Sequence, residues 1–203
     1  MSAWLLPSQH TWRGNMRYNR ALNRTCARKP LRPVNSTLGS PTFHRFRDIK
    51  MDVQIVDFPE TKVAVLEHCG SPALEHETVR KLIAWRLENR LPPDRHRSYG
   101  VHYNDPRTTP PAEYRVDFCI SIERDVSPNP QGVVNKFIPA GRCAIVRHLG
   151  SRENVSAAVY LYEVWFPNSG ETLRDFPIFF HYVNVGPQVQ EREMITDVYL
   201  PLL

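Results

Sequence analysis

The sequence predicts an α+β fold in which a strand-helix-strand-strand module is used twice. The two copies form one antiparallel sheet with two helices and a central ligand groove. Three observations predict it. Ala64, His68, Gly70 and Ser71 recur eighty residues later as Ala144, His148, Gly150 and Ser151, with Val65 and Leu66 matched by Ile145 and Val146. Each copy is an alternating apolar run ending at Gly-Ser, the pattern of a strand handing the chain to a helix N-cap. Each is followed by one helical stretch and two more alternating runs, and self-similarity at a fixed period marks a unit built more than once. One helix on a small sheet leaves an edge and a face uncovered. Joining two units about a pseudo-twofold axis covers them, and the groove between the related helices is the natural ligand site.

Residues 1–50 stand apart. They hold ten Lys or Arg and a single acid, Asp48, whereas the remainder holds sixteen basic and twenty acidic side chains. The overall charge of +5 therefore belongs to this segment, and a nucleic-acid role for the domain itself is disfavoured. Pro7, Pro30, Pro33 and Pro41 interrupt it, so it is expected to be a basic extension without stable structure. The composition break fits a natural start at Met51, a basic arm that contacts DNA or a partner, or an Arg-rich targeting segment.

The domain is expected over 51–203, with pseudo-repeats at about 51–125 and 133–203. Val53 to Phe58 reads as a short strand, and Pro59-Glu60-Thr61 turns the chain into the first motif copy. Ser71-Pro72 should start a helix that runs to about Asn89 and buries Leu74, Val79, Leu82, Ile83 and Leu87, with Pro92-Pro93 ending it. Strands follow at 99–103 and 114–122, where Val116, Phe118, Ile120 and Ile122 share a face. A Pro- and Asn-rich hinge at 127–132 separates the halves. In the second half Ser151 should cap a helix to about Trp165, broken by Pro167-Asn168-Ser169-Gly170, before strands at 178–184 and 193–200. Asp117 is matched by Asp197, and His102-Tyr103 by His181-Tyr182, which makes Tyr103 and Tyr182 counterparts and sets Phe180 opposite Val101.

Catalytic signatures are missing. The chain contains no Gly-x-Ser-x-Gly, no phosphate-cradling glycine loop and no His-Glu-x-x-His. Cys26, Cys69, Cys119 and Cys143 have no paired spacing, so neither a metal, a cofactor nor a disulfide framework is expected, and a cytoplasmic setting is. His68 and His148 read as side chains that hold the turn and place each helix. The aromatic residues carry more information: Trp85, Tyr103, Phe118, Tyr160, Phe180 and Tyr182 are candidates to line the groove for a flat, apolar or cationic ligand. Glu163, among the aromatics of the second helix, is a candidate countercharge.

This element order resembles the GyrI-like small-molecule-binding domain. The resemblance rests on Val63 to Gly70, Tyr99 to Pro106 with Thr109-Pro110, Tyr114 to Asp117, Trp165 to Gly170 and Pro177 to Tyr182. It implies a groove that binds hydrophobic, often cationic, small molecules, in drug-responsive AraC-type regulators or in stand-alone DNA gyrase inhibitors. Some relatives hydrolyse electrophilic cyclopropane toxins. The family's usual glutamate, in the pattern Pro-x-Phe-Glu-x-Tyr, is replaced here by Phe180, which can act neither as countercharge nor as base. The expected function is therefore non-enzymatic binding of an apolar or aromatic ligand, cations included. The alternatives are contact with DNA gyrase or a separate DNA-binding protein, and a hydrolase using Glu163 or Tyr103.

Overall fold

The computed structural model describes residues 50–153 and 155–203, so the expectations for the basic extension lie outside the described residues. Each half contributes four strands. The first half holds β1 (Gln54–Phe58), β2 (Thr61–Cys69), α1 (Glu75–Glu88), β3 (Ser98–His102) and β4 (Arg115–Ser121). The second holds β5 (Val134–Ile138), β6 (Gly141–Leu149), α2 (Ser156–Tyr160), β7 (Ile178–Tyr182) and β8 (Ile195–Pro201). A π-helical turn, Leu161–Trp165, joins α2 to a last helical turn, α3 (Phe166–Ser169).

All eight strands form one antiparallel sheet in the order β1-β6-β8-β7-β3-β4-β2-β5. That order is palindromic about the β3–β7 pair, as the duplication requires. The first strand of each half is exchanged: β1 pairs with β6 and β5 with β2. The halves are thereby interlocked. The stretch expected as a hinge is instead a fixed turn, in which Asn129 bonds the backbone of Val133 and Asn135 that of Val126.

The exchange also dictates the curvature. β1 and β2 stand six places apart, about 29 Å in a flat sheet. Yet only Pro59 and Glu60 separate Phe58 from Thr61, a link that reaches about 11 Å at most. The sheet must roll until its edges approach, which makes it a half-barrel. Inside the roll Phe58 meets Tyr99, Phe179 and Tyr199 edge-on, and Phe179 stacks on Tyr199 with centroids 4.9 Å apart. Strand alternation divides the core: Val63 and Val65 face this interior, and Ala64 and Leu66 face α1. On the same outer face the second half packs Leu161 and Tyr162 against Ala144, Val146 and Val198.

The histidine joints are present in both halves. His68 Nε2 lies 3.1 Å from the carbonyl of Ser71, and His148 Nε2 lies 3.0 Å from that of Ser151. A second repeated device follows each central strand. Asn104 accepts from the backbone N–H of Arg115 and donates to the carbonyl of Glu113, and Asn184 does the same with Ile195 and Glu193.

The register corrects one expected equivalence. Ala64 pairs with Ile120 and Ala144 with Leu200, so both halves keep an offset of eighty. Gly100 pairs with Phe180 on the axis itself, and the two are also counterparts. Tyr182 therefore corresponds to His102, not to Tyr103, and Phe180 to Gly100, not to Val101. A one-residue slip reverses the face of every side chain. Tyr103 accordingly packs in the interior of the roll, and Tyr182 with the outer core of the second half.

The helices also depart from expectation. Ser71 caps a short 3₁₀ turn, Pro72–Leu74, and α1 begins only at Glu75. Leu74, Ile83 and Leu87 are exposed rather than buried, because the sheet takes only the Leu82–Trp85–Arg86 face of α1. The second helix starts at Ser156 and continues through Pro167. The π turn accommodates that proline, since the change of hydrogen-bond spacing at its end falls where the missing N–H would be required. Gly170, in the left-handed region at φ 70°, ends the helix.

The end of α1 is unusual. Arg90 N–H donates to the Leu87 carbonyl and Leu91 N–H to that of Arg86, a Schellman motif whose left-handed position is held by Arg90 at φ 54°. Glycine is the residue such a position favours. Arg90→Gly should stabilise the domain by about 0.5–1 kcal/mol in chemical denaturation, and a loss of stability would show that the arginine side chain contributes to the fold.

Candidate small-molecule groove

A cavity of about 1230 Å³ opens on the outer face between α1 and the central strands. Its wall is the outward stripe of α1, with Val79, Ile83 and Leu87 one turn apart, so the exposure of Ile83 (48%) and Leu87 (72%) is exposure to this groove. Its floor is Phe118 and Ile120 on β4, His102 on β3, and Phe180 and Tyr182 on β7. Val185 to Pro187, after β7, and Arg152, before α2, close the far side.

Gly100 makes the floor possible. The Tyr182 side chain lies across it, and a Cβ there would overlap the phenol oxygen. From this position Tyr182 brings its hydroxyl 3.4 Å from His102 Nε2, and the His102 ring lies against Phe180 with centroids 4.3 Å apart. The axis pair thus has no side chain on one strand, where Tyr182 takes up the space, and a phenylalanine on the other, an asymmetry that shapes the cavity.

The seven candidate residues divide. Phe118, Phe180 and Tyr182 line the cavity. Trp85 is buried under α1 among Leu82, Tyr114 and Val116. Tyr160 is buried on α2, and Glu163 sits half-buried in the π turn, its carboxyl pushed up by burial and drawn down by Arg107. Tyr103 points into the roll, where its hydroxyl donates to Asp117 Oδ2 at 2.8 Å. Glu163 and Tyr103 are therefore on opposite faces of the sheet.

Charge in the groove comes from residues outside that set. Glu75, in the first turn of α1, accepts a hydrogen bond from the Tyr114 hydroxyl at 2.5 Å, and burial raises its pKa. Arg86 is buried and donates to the carbonyls of Leu91 and His96 and to the Ser98 hydroxyl. Arg152 lies over the Tyr182 ring, 5.0 Å from its centroid, and donates to the Asn184 carbonyl. Burial holds His102 at a pKa of about 4, and burial with Arg97 holds His181 near the same value. Both histidines are thus neutral in the folded protein where the unfolded chain, at 6.5, takes up protons. Stability should fall as pH drops from about 6.5 towards 4, on the order of 2 kcal/mol per histidine. Thermal melts should show the decline, and it should be shallower in His102→Phe.

Against this geometry the comparisons are direct. Residues 51–203 match the GyrI-like small molecule binding domain, which is every described residue but one. The chain belongs to the GyrI-like family. A probable transcriptional regulator, YgiV of Escherichia coli K12, is 41% identical over 157 residues, which are 76% of this chain and 98% of that one. A DNA gyrase inhibitor of Erwinia billingiae is 27% identical over 156 residues, covering 75% of this chain and 97% of its own. Among solved structures, the C-terminal domain of EcmrR matches with a TM-score of 0.59 at 16% identity, over 76% of this chain and 99% of that domain, which is a likeness of fold.

In this GyrI-like domain the groove face was hidden from sequence reading at α1, because an apolar stripe at helical spacing reads the same whether it meets a core or a ligand. Arg86 and Arg152 carry no pattern of their own. One signal for Arg90 was available: an arginine where the helix, ending before Pro92-Pro93, needs a left-handed residue. Among the described residues no group of three His, Cys, Asp or Glu could hold a metal ion, and no helix is long and apolar enough to cross a membrane.

Proposed function

We propose that this GyrI-like domain binds an apolar or aromatic small molecule in the groove beside α1 and acts as the ligand-sensing part of a regulatory system. One observation carries the reading: Ile83 and Leu87, large apolar residues of α1, are left exposed toward a cavity large enough for a drug-sized molecule. The aromatic floor of Phe118, Phe180 and Tyr182 suits flat rings. The regulator name of the 41% identical relative supports the wider role.

Titration with the uncharged fluorophore N-phenyl-1-naphthylamine tests it. A saturable, one-to-one fluorescence enhancement is expected. Enhancement that stays linear with dye, or none, in protein shown to be folded would contradict the groove reading.

A further inference from the structure

Several cations of this domain are matched to carboxylates. Lys136 bridges Glu67 and Asp117, Arg107 meets Asp105, Arg142 meets Glu171, and Arg147 meets Asp197. The groove holds none of these pairs. Arg86, Arg90 and Arg152 all line it, and among the described residues none has a carboxylate within 4.0 Å.

The three also gather at one end. Arg86 reaches Ser98, and Ser98 pairs across the axis with Tyr182, under the Arg152 guanidinium. Arg90 follows one turn after Arg86. Glu75, the one carboxylate of the lining, sits at the opposite end of α1, roughly 20 Å from Arg90 along the helix. The α1 wall of the groove is therefore polarised along its length, positive beside the helix C-terminus.

Each arginine is placed there against some resistance. Arg86 is desolvated with its donors taken up by Leu91, His96 and Ser98, so it contributes charge without an ion pair. Arg90 occupies a backbone conformation that favours glycine, and such a departure from local preference is the kind found at binding sites. Arg152 is held by Asn184 and Thr196 through Nε and one terminal nitrogen, while its other terminal nitrogen has no hydrogen-bond partner among the described residues. The Schellman hydrogen bonds to Leu87 and Arg86 satisfy carbonyls of the helix end, which lessens its repulsion of an anion.

We infer that the groove selects apolar ligands bearing negative charge, with the apolar body on Ile83, Leu87 and Phe180 and the charged group against Arg90 and Arg152. This rests on the groove reading above and names the ligand class for it. Glu75 keeps the far end unfavourable to a second anionic group.

The test uses a pair of ions alike in size and shape and opposite in charge, tetraphenylborate and tetraphenylphosphonium, titrated calorimetrically into the full chain. The wild-type protein should favour the borate by about tenfold or more, and Arg90→Gln and Arg152→Gln should each reduce that ratio by about three- to tenfold. Arg90 is exposed, so Arg90→Gln leaves the packing in place, and circular dichroism checks that both variants fold. Equal affinities, a preference for the phosphonium, or a ratio unchanged by both substitutions would overturn the inference. Failure of both ions and of the neutral fluorophore would overturn the groove reading itself.

Discussion

Replacing Lys136 with methionine should cost the domain about 3–5 kcal/mol, the usual penalty for leaving one member of a buried ion pair alone. Lys136 Nζ stands 2.6 Å from both Glu67 Oε1 and Asp117 Oδ2, and the Asp117 side chain is only 4% exposed. Burial opposes the lysine charge, but the two carboxylates outweigh it and hold its pKa above the ordinary value. Methionine keeps the aliphatic stem and removes the charge, leaving Asp117 with the hydrogen bond from the Tyr103 hydroxyl but without the lysine. The corresponding aspartate, Asp197, is served by Arg147 through two hydrogen bonds of 2.7 and 2.9 Å, but that arginine is 59% exposed. Solvent screens the pair, so Arg147→Met should cost about 1 kcal/mol or less. Urea denaturation of both variants measures the contrast. Adding Asp117→Asn to Lys136→Met should recover part of the loss. Equal small effects in both halves would show that the lysine bridge is not a structural requirement.

The second large effect is on binding. Replacing Ile83 and Leu87 together with glutamine should weaken N-phenyl-1-naphthylamine binding tenfold or more, because each withdraws apolar surface from the ligand, and 1.4 kcal/mol is already tenfold. Stability should change by less than about 0.5 kcal/mol per residue, since both side chains are largely exposed in the empty domain. Leu82, one position away and 6% exposed, should behave in the opposite way: Leu82→Ala should cost roughly 2–5 kcal/mol of stability through the cavity it leaves. Destabilisation by the glutamine pair as large as that of Leu82→Ala would place those residues in the core after all.

Much of the architecture was legible because the chain states it twice. The shared Ala, His, Gly and Ser of the two motif copies led to the duplicated strand-helix-strand-strand order and to the role of His68 and His148 at the joints. The exchange of β1 and β5 was not legible, since Gln54–Phe58 and Val134–Ile138 are short, and nothing local says which neighbour a strand will choose. The pairing of Tyr103 with Tyr182 shows how little separates a correct repeat from a misleading one. A His-Tyr echo displaced by one residue was more conspicuous than the true counterparts, and the displacement moved Tyr103 to the wrong face. Three of the seven candidate residues, Phe118, Phe180 and Tyr182, line the groove because they fall on the outward phase of central strands. Apart from the helix-end signal at Arg90, the groove's charges were invisible because they depend on how helix ends and loops converge in space. The asymmetry at the axis, Gly100 against Phe180, emerges only from the register.

The most direct test of the central claim is to map amide and methyl chemical shifts while tetraphenylborate is titrated into the labelled domain. Shifts concentrated on Ile83, Leu87, Arg90, Phe180 and Tyr182, with Val101, Phe179 and Tyr199 inside the roll undisturbed, are the predicted result. Shifts centred on the interior of the roll, or scattered over the surface without saturation, would contradict it.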